Sequence, residues 1–238
     1  MNLKTKMNNV LFLDIETVPQ KEYWSEVPQL TQELFSKKTA YQRKEDISAE
    51  NFYERAGIWA EFGKIICISV AYFTSNMQER NVRVTSFSGN DEKELLIDFK
   101  KLLDTHFNKA YHVLCAHNGK EFDFPYIARR MIVHQVELPS KLNLFGKKPW
   151  EVPHLDTMEL WKFGDYKHYS SLQLLTSILG IPSPKDDIDG SEVANVYYKD
   201  KNLDRIVKYC EKDTIAVAQL LMRFNNEKLV EEHEIINV

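Results

Sequence analysis

Asp14 and Glu16 stand two residues apart at the end of an apolar run, Val10-Leu11-Phe12-Leu13. The run reads as a central strand, apolar on both faces. Side chains alternate across a strand, so the two carboxylates share a face and lie close together. Two anions that near each other repel unless a positive charge sits between them or one holds a proton. A hard divalent cation bound by oxygen ligands is the commonest solution. The alternative is that the pair lies beyond the strand in solvent, with Thr17-Val18-Pro19 opening a loop. These residues alone leave both readings open.

Two further carboxylates occupy positions where local rules bend. Across 203–224, Leu203, Val207, Cys210, Thr214, Val217, Leu221 and Phe224 recur by four and three, which predicts a long helix with a core stripe. The neighbouring stripe is Ile206, Tyr209, Asp213, Ala216 and Leu220, so Asp213 interrupts an apolar row, with Tyr209 one turn earlier on its face. A rule broken inside an otherwise consistent helix marks a place to expect function. Without Asp213 beside it, Tyr209 would read as a tyrosine at the core edge. In mid-chain, 112–116 reads as a short buried strand, Asn118-Gly119 as a turn and Pro125 as an early helical position. Asp123 then falls at a strand-to-helix junction. Aspartate there is commonly only a cap, although Phe122 and Phe124 on either side argue against a plainly solvated loop.

In order, Asp14-x-Glu16-Thr17, Asn118-x-x-x-Phe122-Asp123 and Tyr209-x-x-x-Asp213 resemble the three motifs of the DEDD exonuclease superfamily. The tyrosine resembles the subclass that carries Tyr in place of His (DEDDy), which includes the proofreading domains of family A and family B DNA polymerases and ribonuclease D. Within it, Phe62-Gly63-Lys64-Ile65-Ile66-Cys67-Ile68 and Lys185-Asp186-Asp187-Ile188-Asp189-Gly190-Ser191 are similar to stand-alone bacterial proteins described as predicted exonucleases related to the polymerase B exonuclease domain. Each motif is weak by itself, but the ordered set covers nearly the whole chain and is specific.

The resemblance implies a metal-dependent 3′-to-5′ exonuclease that releases nucleoside 5′-monophosphates. Phosphodiester hydrolysis brings water to an anionic phosphorus while charge builds on the leaving 3′ oxygen, and two metal ions about 4 Å apart serve both sides. An all-oxygen set suits Mg2+ or Mn2+. By the resemblance, Asp14 bridges both ions, Glu16 and Asp213 complete the site of the nucleophilic water, and Asp123 holds the second ion through water. Tyr209 orients the attacking water; with an ordinary pKa of about 10 it is a positioning group and not a base. Thr17, Asn118, Phe122 and Lys167 are the expected substrate contacts. The expected partner is a single-stranded 3′ end, because a terminal phosphodiester must be drawn away from a complementary strand to enter such a site. DNA is favoured over RNA, although no residue identifies a test of the 2′-hydroxyl. An exoribonuclease, or a nucleic-acid-binding module without turnover that serves a polymerase or helicase, is the alternative. A phosphatase or nucleotide pyrophosphohydrolase with the same metals would instead act on mononucleotides. Replication or repair partners remain unnamed.

Composition fits this reading. The chain has 238 residues and a formal net charge of −4, with 43% hydrophobic and 28% charged residues, as expected of a soluble globular protein. The negative charge does not argue against nucleic acid: four ligand carboxylates and two divalent cations would bring the total to zero. Binding would then fall to local patches such as Arg129-Arg130, Lys141 with Lys147-Lys148, and Lys162 with Lys167-His168, each also readable as ordinary solvated charge. No apolar run suggests a membrane span or a signal peptide, so a cytoplasmic location is expected. Cys67, Cys115 and Cys210 fall in buried elements without paired spacing and read as reduced core residues.

The elements that must position these groups form an α/β, ribonuclease H-like pattern. Strands are expected at about 9–16, 64–73, 81–87, 111–117 and 153–157, and helices at about 91–106, 124–134, 170–179, 190–199 and 202–227. The first three strands should be antiparallel, followed by parallel β-α units in a mixed sheet flanked by helices. We expect one domain over 1–238, with an insertion at about 19–62 between the first two strands. That insertion carries Trp24, Phe35, Tyr41, Phe52, Tyr53 and Trp59, with a helix over 48–56 capped by Gly57. Its aromatics could stack on bases or pack the segment as a helical flap on the sheet; the second is favoured. Asp156, near His154, is expected to be structural or to support the site indirectly.

Overall fold

The computed structural model describes residues 6–44, 46–76, 79–165, 169–182 and 188–238. Strand β1 (Val10–Pro19) is central to a six-stranded sheet. It pairs antiparallel with β2 (Gly63–Asn76), which pairs antiparallel with β3 (Glu79–Ser88). On its other side β1 runs parallel to β4 (Val113–Ala116), and β4 runs parallel to β5 (Leu155–Asp156). A short strand, β6 (Ile235–Asn237), lies parallel to β3 at the opposite edge, giving the order β5-β4-β1-β2-β3-β6. This is the expected mixed sheet, a ribonuclease H-like arrangement; β6 has too few residues to show a period of two.

Alternation along β1 builds two cores. Leu11, Leu13 and Ile15 face a layer made by α3 (Glu92–His106) and α4 (Asp123–Val133), packing with Leu96, Phe99, Phe124 and Ile127. Val10 and Phe12 face the other way, against Val217, Leu221 and Met222 of α8 (Leu203–Phe224). Burying each such side chain contributes roughly 1.5–3 kcal/mol. Asp14 and Glu16 continue the even-numbered register, so the same alternation that fills the α8 core delivers the two carboxylates to the α8 face. Strand β1 does not stop at Glu16 as one reading of the sequence allowed. It continues to Pro19 through a register shift: Glu16 pairs with Cys67 but Thr17 with Ile65. Such a bulge re-aims the residues after it.

Between β1 and β2 lie α1 (Gln29–Thr39), α2 (Ala49–Phe52) and a 3-10 turn, Tyr53–Ile58. The expected helix over 48–56 is therefore split, and Gly57 is not its cap: it lies buried inside the turn. A Cβ on Gly57 would approach the Val18 backbone at 3.1 Å, so a bare backbone lets the turn sit on β1. The aromatics of this segment pack on one another, with the fully buried Phe35 5.1 Å from Phe62 and 5.5 Å from Tyr53. They are thereby committed to a small core of their own, where the sequence suggests packing on the sheet; Tyr41, an exception, is exposed.

Three short helices complete the chain: α5 (Thr157–Trp161), α6 (Leu172–Ile178) and α7 (Val193–Tyr198). Helix α7 packs through Val193 and Val196 on Val18, Ile66 and Ile206, beside Tyr209. Among the described residues no helix is long and apolar enough to cross a membrane.

Candidate active site

The end of β1, the start of α4 and the first half of α8 converge. One carboxylate oxygen each from Asp14 and Glu16 and the Cys210 sulfur lie within 4.8 Å of one another. Glu16 is 7% exposed and Asp14 partly so, which rules out a solvated pair beyond the strand. Asp14 is held well above the usual carboxylate range by burial first, then by the charges of Glu16, Asp123 and Asp213. Glu16 is raised the same way, by burial and then by Asp213, Cys67 and Asp123. The four acids therefore act on one another as a single electrostatic group, although they come from positions 14, 16, 123 and 213.

Asp123 opens α4 and is 3% exposed. Burial pushes its carboxyl up to about 8, assisted by the charge of Asp156, while the backbone N–H groups of Asp123 and Ile15 pull it down. The Ile15 contact ties the start of α4 to the strand between the two acids. The Tyr209 hydroxyl hydrogen-bonds Asp213 and is pushed far above the ordinary phenol range by burial, then by Asp213, Glu16 and Asp14. It is neutral at physiological pH. Cys210, read from the sequence as a core residue, also reaches the site: its thiol contacts the Asp14 carbonyl at 3.4 Å and Asp14 Oδ2 at 3.5 Å. Burial and the neighbouring cysteine and acids hold this thiol protonated, so it donates to Asp14. The only signal in the sequence is its position one residue after Tyr209 and three before Asp213.

Asp156 organises the loop that presents Asp123. Its Oδ1 accepts from the N–H groups of Asn118 (3.0 Å), Met158 (3.0 Å) and Glu159 (3.2 Å), and Oδ2 from that of Lys120 (3.1 Å). One buried carboxylate thus caps α5 and fixes the turn at Asn118, whose φ is +63°. This is the indirect support expected of it. His154, fully buried, accepts from Leu114 N–H and contacts the Lys141 carbonyl, a structural position with its pKa lowered to about 4 by burial.

The expected substrate contacts divide. Thr17 donates to the Gly57 carbonyl (2.9 Å), which also accepts from Tyr126 (2.7 Å), so its hydroxyl holds the inserted segment against β1. Asn118 Oδ1 accepts from the Tyr169 hydroxyl. Phe122 is half-buried and lines a cleft of about 1270 Å³ with Glu16, Thr17, Tyr23, Arg55, Ile58 and Tyr198. Lys167 lies outside the described residues. Two cationic candidates are engaged elsewhere: Arg130 is buried and paired with Glu92 (2.5 Å), and Lys141 donates to the carbonyls of Lys109 and His112.

The chemistry of this donor set fits divalent cations. Beyond burial, the groups that most raise Asp14 and Glu16 are carboxylates and a cysteine, a donor set that a divalent cation would neutralise. A family model described as a predicted 3′-5′ exonuclease related to the exonuclease domain of PolB matches residues 58–233. The chain belongs to this exonuclease family. A DNA polymerase of Pyrococcus glycovorans is 23% identical to it over 148 residues, 57% of this chain and 18% of the polymerase. The solved family B DNA polymerase of the hyperthermophilic archaeon Pyrobaculum calidifontis shares the fold, with a TM-score of 0.51 and 15% identity over 90% of this chain and 24% of that one. This exonuclease-family chain therefore spans less than a quarter of the length of either polymerase.

Proposed function

We propose that this chain is a metal-dependent 3′-5′ exonuclease of the tyrosine-containing DEDD type, acting on single-stranded DNA ends and releasing nucleoside 5′-monophosphates. The observation that carries the reading is the convergence of four mutually repelling acids with a neutral tyrosine hydroxyl bonded to one of them. Asp14, Glu16, Asp123 and Asp213 would hold two ions, Mg2+ or Mn2+. Those ions would activate a water and stabilise the leaving 3′ oxygen. Tyr209, neutral and fixed by Asp213, positions the attacking water and does not take its proton. Water adds to phosphorus, the bond to the 3′ oxygen breaks, and that oxygen leaves as a hydroxyl. The cleft beside Glu16 takes the terminal nucleotide, with Phe122 and Thr17 among the residues that line it. We read 1–238 as one domain, with the segment at about 19–62 inserted to form a wall of that cleft. The relatives are DNA polymerases, which favours DNA over RNA.

A 5′-labelled single-stranded oligodeoxynucleotide incubated with Mg2+ should shorten stepwise from its 3′ end, and Asp213→Ala should stop it. No ladder with the natural chain, or a ladder that survives Asp213→Ala, overturns the enzyme reading. Equal shortening of a matched RNA overturns the DNA preference.

A further inference from the structure

Outside the cleft, the loop that leads to Asp123 carries a second surface that the proposed chemistry does not use. Tyr169 is 65% exposed and its hydroxyl donates to Asn118 Oδ1 (3.2 Å) and to Glu121 Oε2. The ring is thereby fixed to the 118–121 loop. The Lys162 ammonium lies 5.3 Å from the centre of that ring. Next to it Phe163 is 90% exposed, in a left-handed conformation (φ +43°), followed by Gly164 at φ +89°. Left-handed backbone is unfavourable for a bulky residue, and holding a phenyl ring in water gains nothing for the fold. Trp161, 6.5 Å from the Phe163 ring, stacks on Phe224 at 6.0 Å, and Lys120 pairs with Glu159 to join the loop to α5.

We propose that Phe163, Tyr169 and Lys162 form a stacking platform for the nucleotides upstream of the 3′ terminus of a single strand, so that they determine its preference for single strands of sufficient length. This rests on the exonuclease reading above. Two exposed aromatic faces with a cation against one of them match the alternation of base and phosphate in an unpaired strand. A duplex offers no free base faces to such a surface. Because Tyr169 is bonded to the loop that leads to Asp123, bases on the platform lie in a fixed relation to the carboxylates.

The test measures binding of labelled oligo(dT) of increasing length in EDTA, by fluorescence anisotropy. Affinity of the natural chain should rise with length up to about eight nucleotides. In Phe163→Ala and Tyr169→Ala the longest oligomer should bind about tenfold more weakly, with the rise with length flattened, whereas Phe163→Trp should restore it. Lys162→Gln should lower the slope of log K against log salt by about 0.7. Phe163 is exposed, so its replacement leaves the fold intact. Unchanged length dependence in both alanine variants of a chain that shortens DNA overturns the platform alone. A chain that shortens no oligonucleotide overturns the exonuclease reading, and the platform with it. Exposed rings that capture a protein partner while the length dependence stays intact would also overturn it.

Discussion

Replacing Asp14 by asparagine should make the metal-free protein more stable and abolish its response to divalent cations. Asp14 is raised by burial and by three neighbouring acids, and Asp123 in the same group is pushed up to about 8, chiefly by burial. Keeping these buried acids ionised therefore destabilises the metal-free fold. The folded state binds more protons than the unfolded one between about pH 4 and about pH 8, and stability is therefore lost as pH rises through that window. Removing one of the four charges should return roughly 1–2 kcal/mol, or about 3–6 °C in Tm for a chain of this size. Calorimetry in EDTA at about pH 8 should show the variant melting above the natural chain, with the gap closing towards about pH 5 as the carboxyls protonate. His117 and His154, both lowered by burial, act oppositely at acid pH but are common to both proteins and cancel in the difference. Mg2+ or Mn2+ at a hundred times Kd should add about 2.7 kcal/mol to the natural chain and little to the variant. A variant that melts at or below the natural chain in EDTA at the alkaline end, or that keeps the full metal shift, refutes the reasoning.

Tyr209→Phe should lower turnover by about a hundredfold while retaining the metal-induced rise in Tm; unchanged turnover would remove the positioning role. Asp156→Ala strips acceptors from the N–H groups of Asn118, Lys120, Met158 and Glu159. It should cost about 2–4 kcal/mol in urea denaturation, and an unmoved midpoint would show that the loop is held by other contacts. Gly63→Ala would put a Cβ 2.2 Å from the Tyr126 hydroxyl and 2.8 Å from the Gly57 carbonyl. A loss above about 2 kcal/mol is expected, read as a drop in Tm. Arg130→Met leaves Glu92 buried without its guanidinium and should cost about 3–5 kcal/mol by chemical denaturation, a loss that a second change, Glu92→Gln, should partly relieve.

Much of the framework was readable before any coordinates. The apolar run ending at Asp14, the helix stripe interrupted by Asp213 and the strand-to-helix junction at Asp123 all appear where the residue pattern put them. The misses have separate causes. Helix α1 buries few of its apolar residues: Phe35 is inside, whereas Leu30 and Leu34 are exposed, so its periodicity is faint. Thr17-Val18-Pro19 looked like a loop because a proline closes it, yet it pairs with Gly63, Lys64 and Ile65 across a bulge. Arg130 looked like a surface cation until α4 turned it towards Glu92, which sits at the start of α3.

Periods of two and of 3.6 follow from backbone geometry within a few residues, and that is why the sequence alone determined that Asp14 and Glu16 share a face and that Tyr209 and Asp213 share another. Distances between groups far apart in the chain depend on how elements pack. Only the tertiary structure decided that α8 lies on the even face of β1, that Cys210 donates to Asp14, that Thr17 holds the inserted segment, and that Tyr169 is tied to the loop before Asp123.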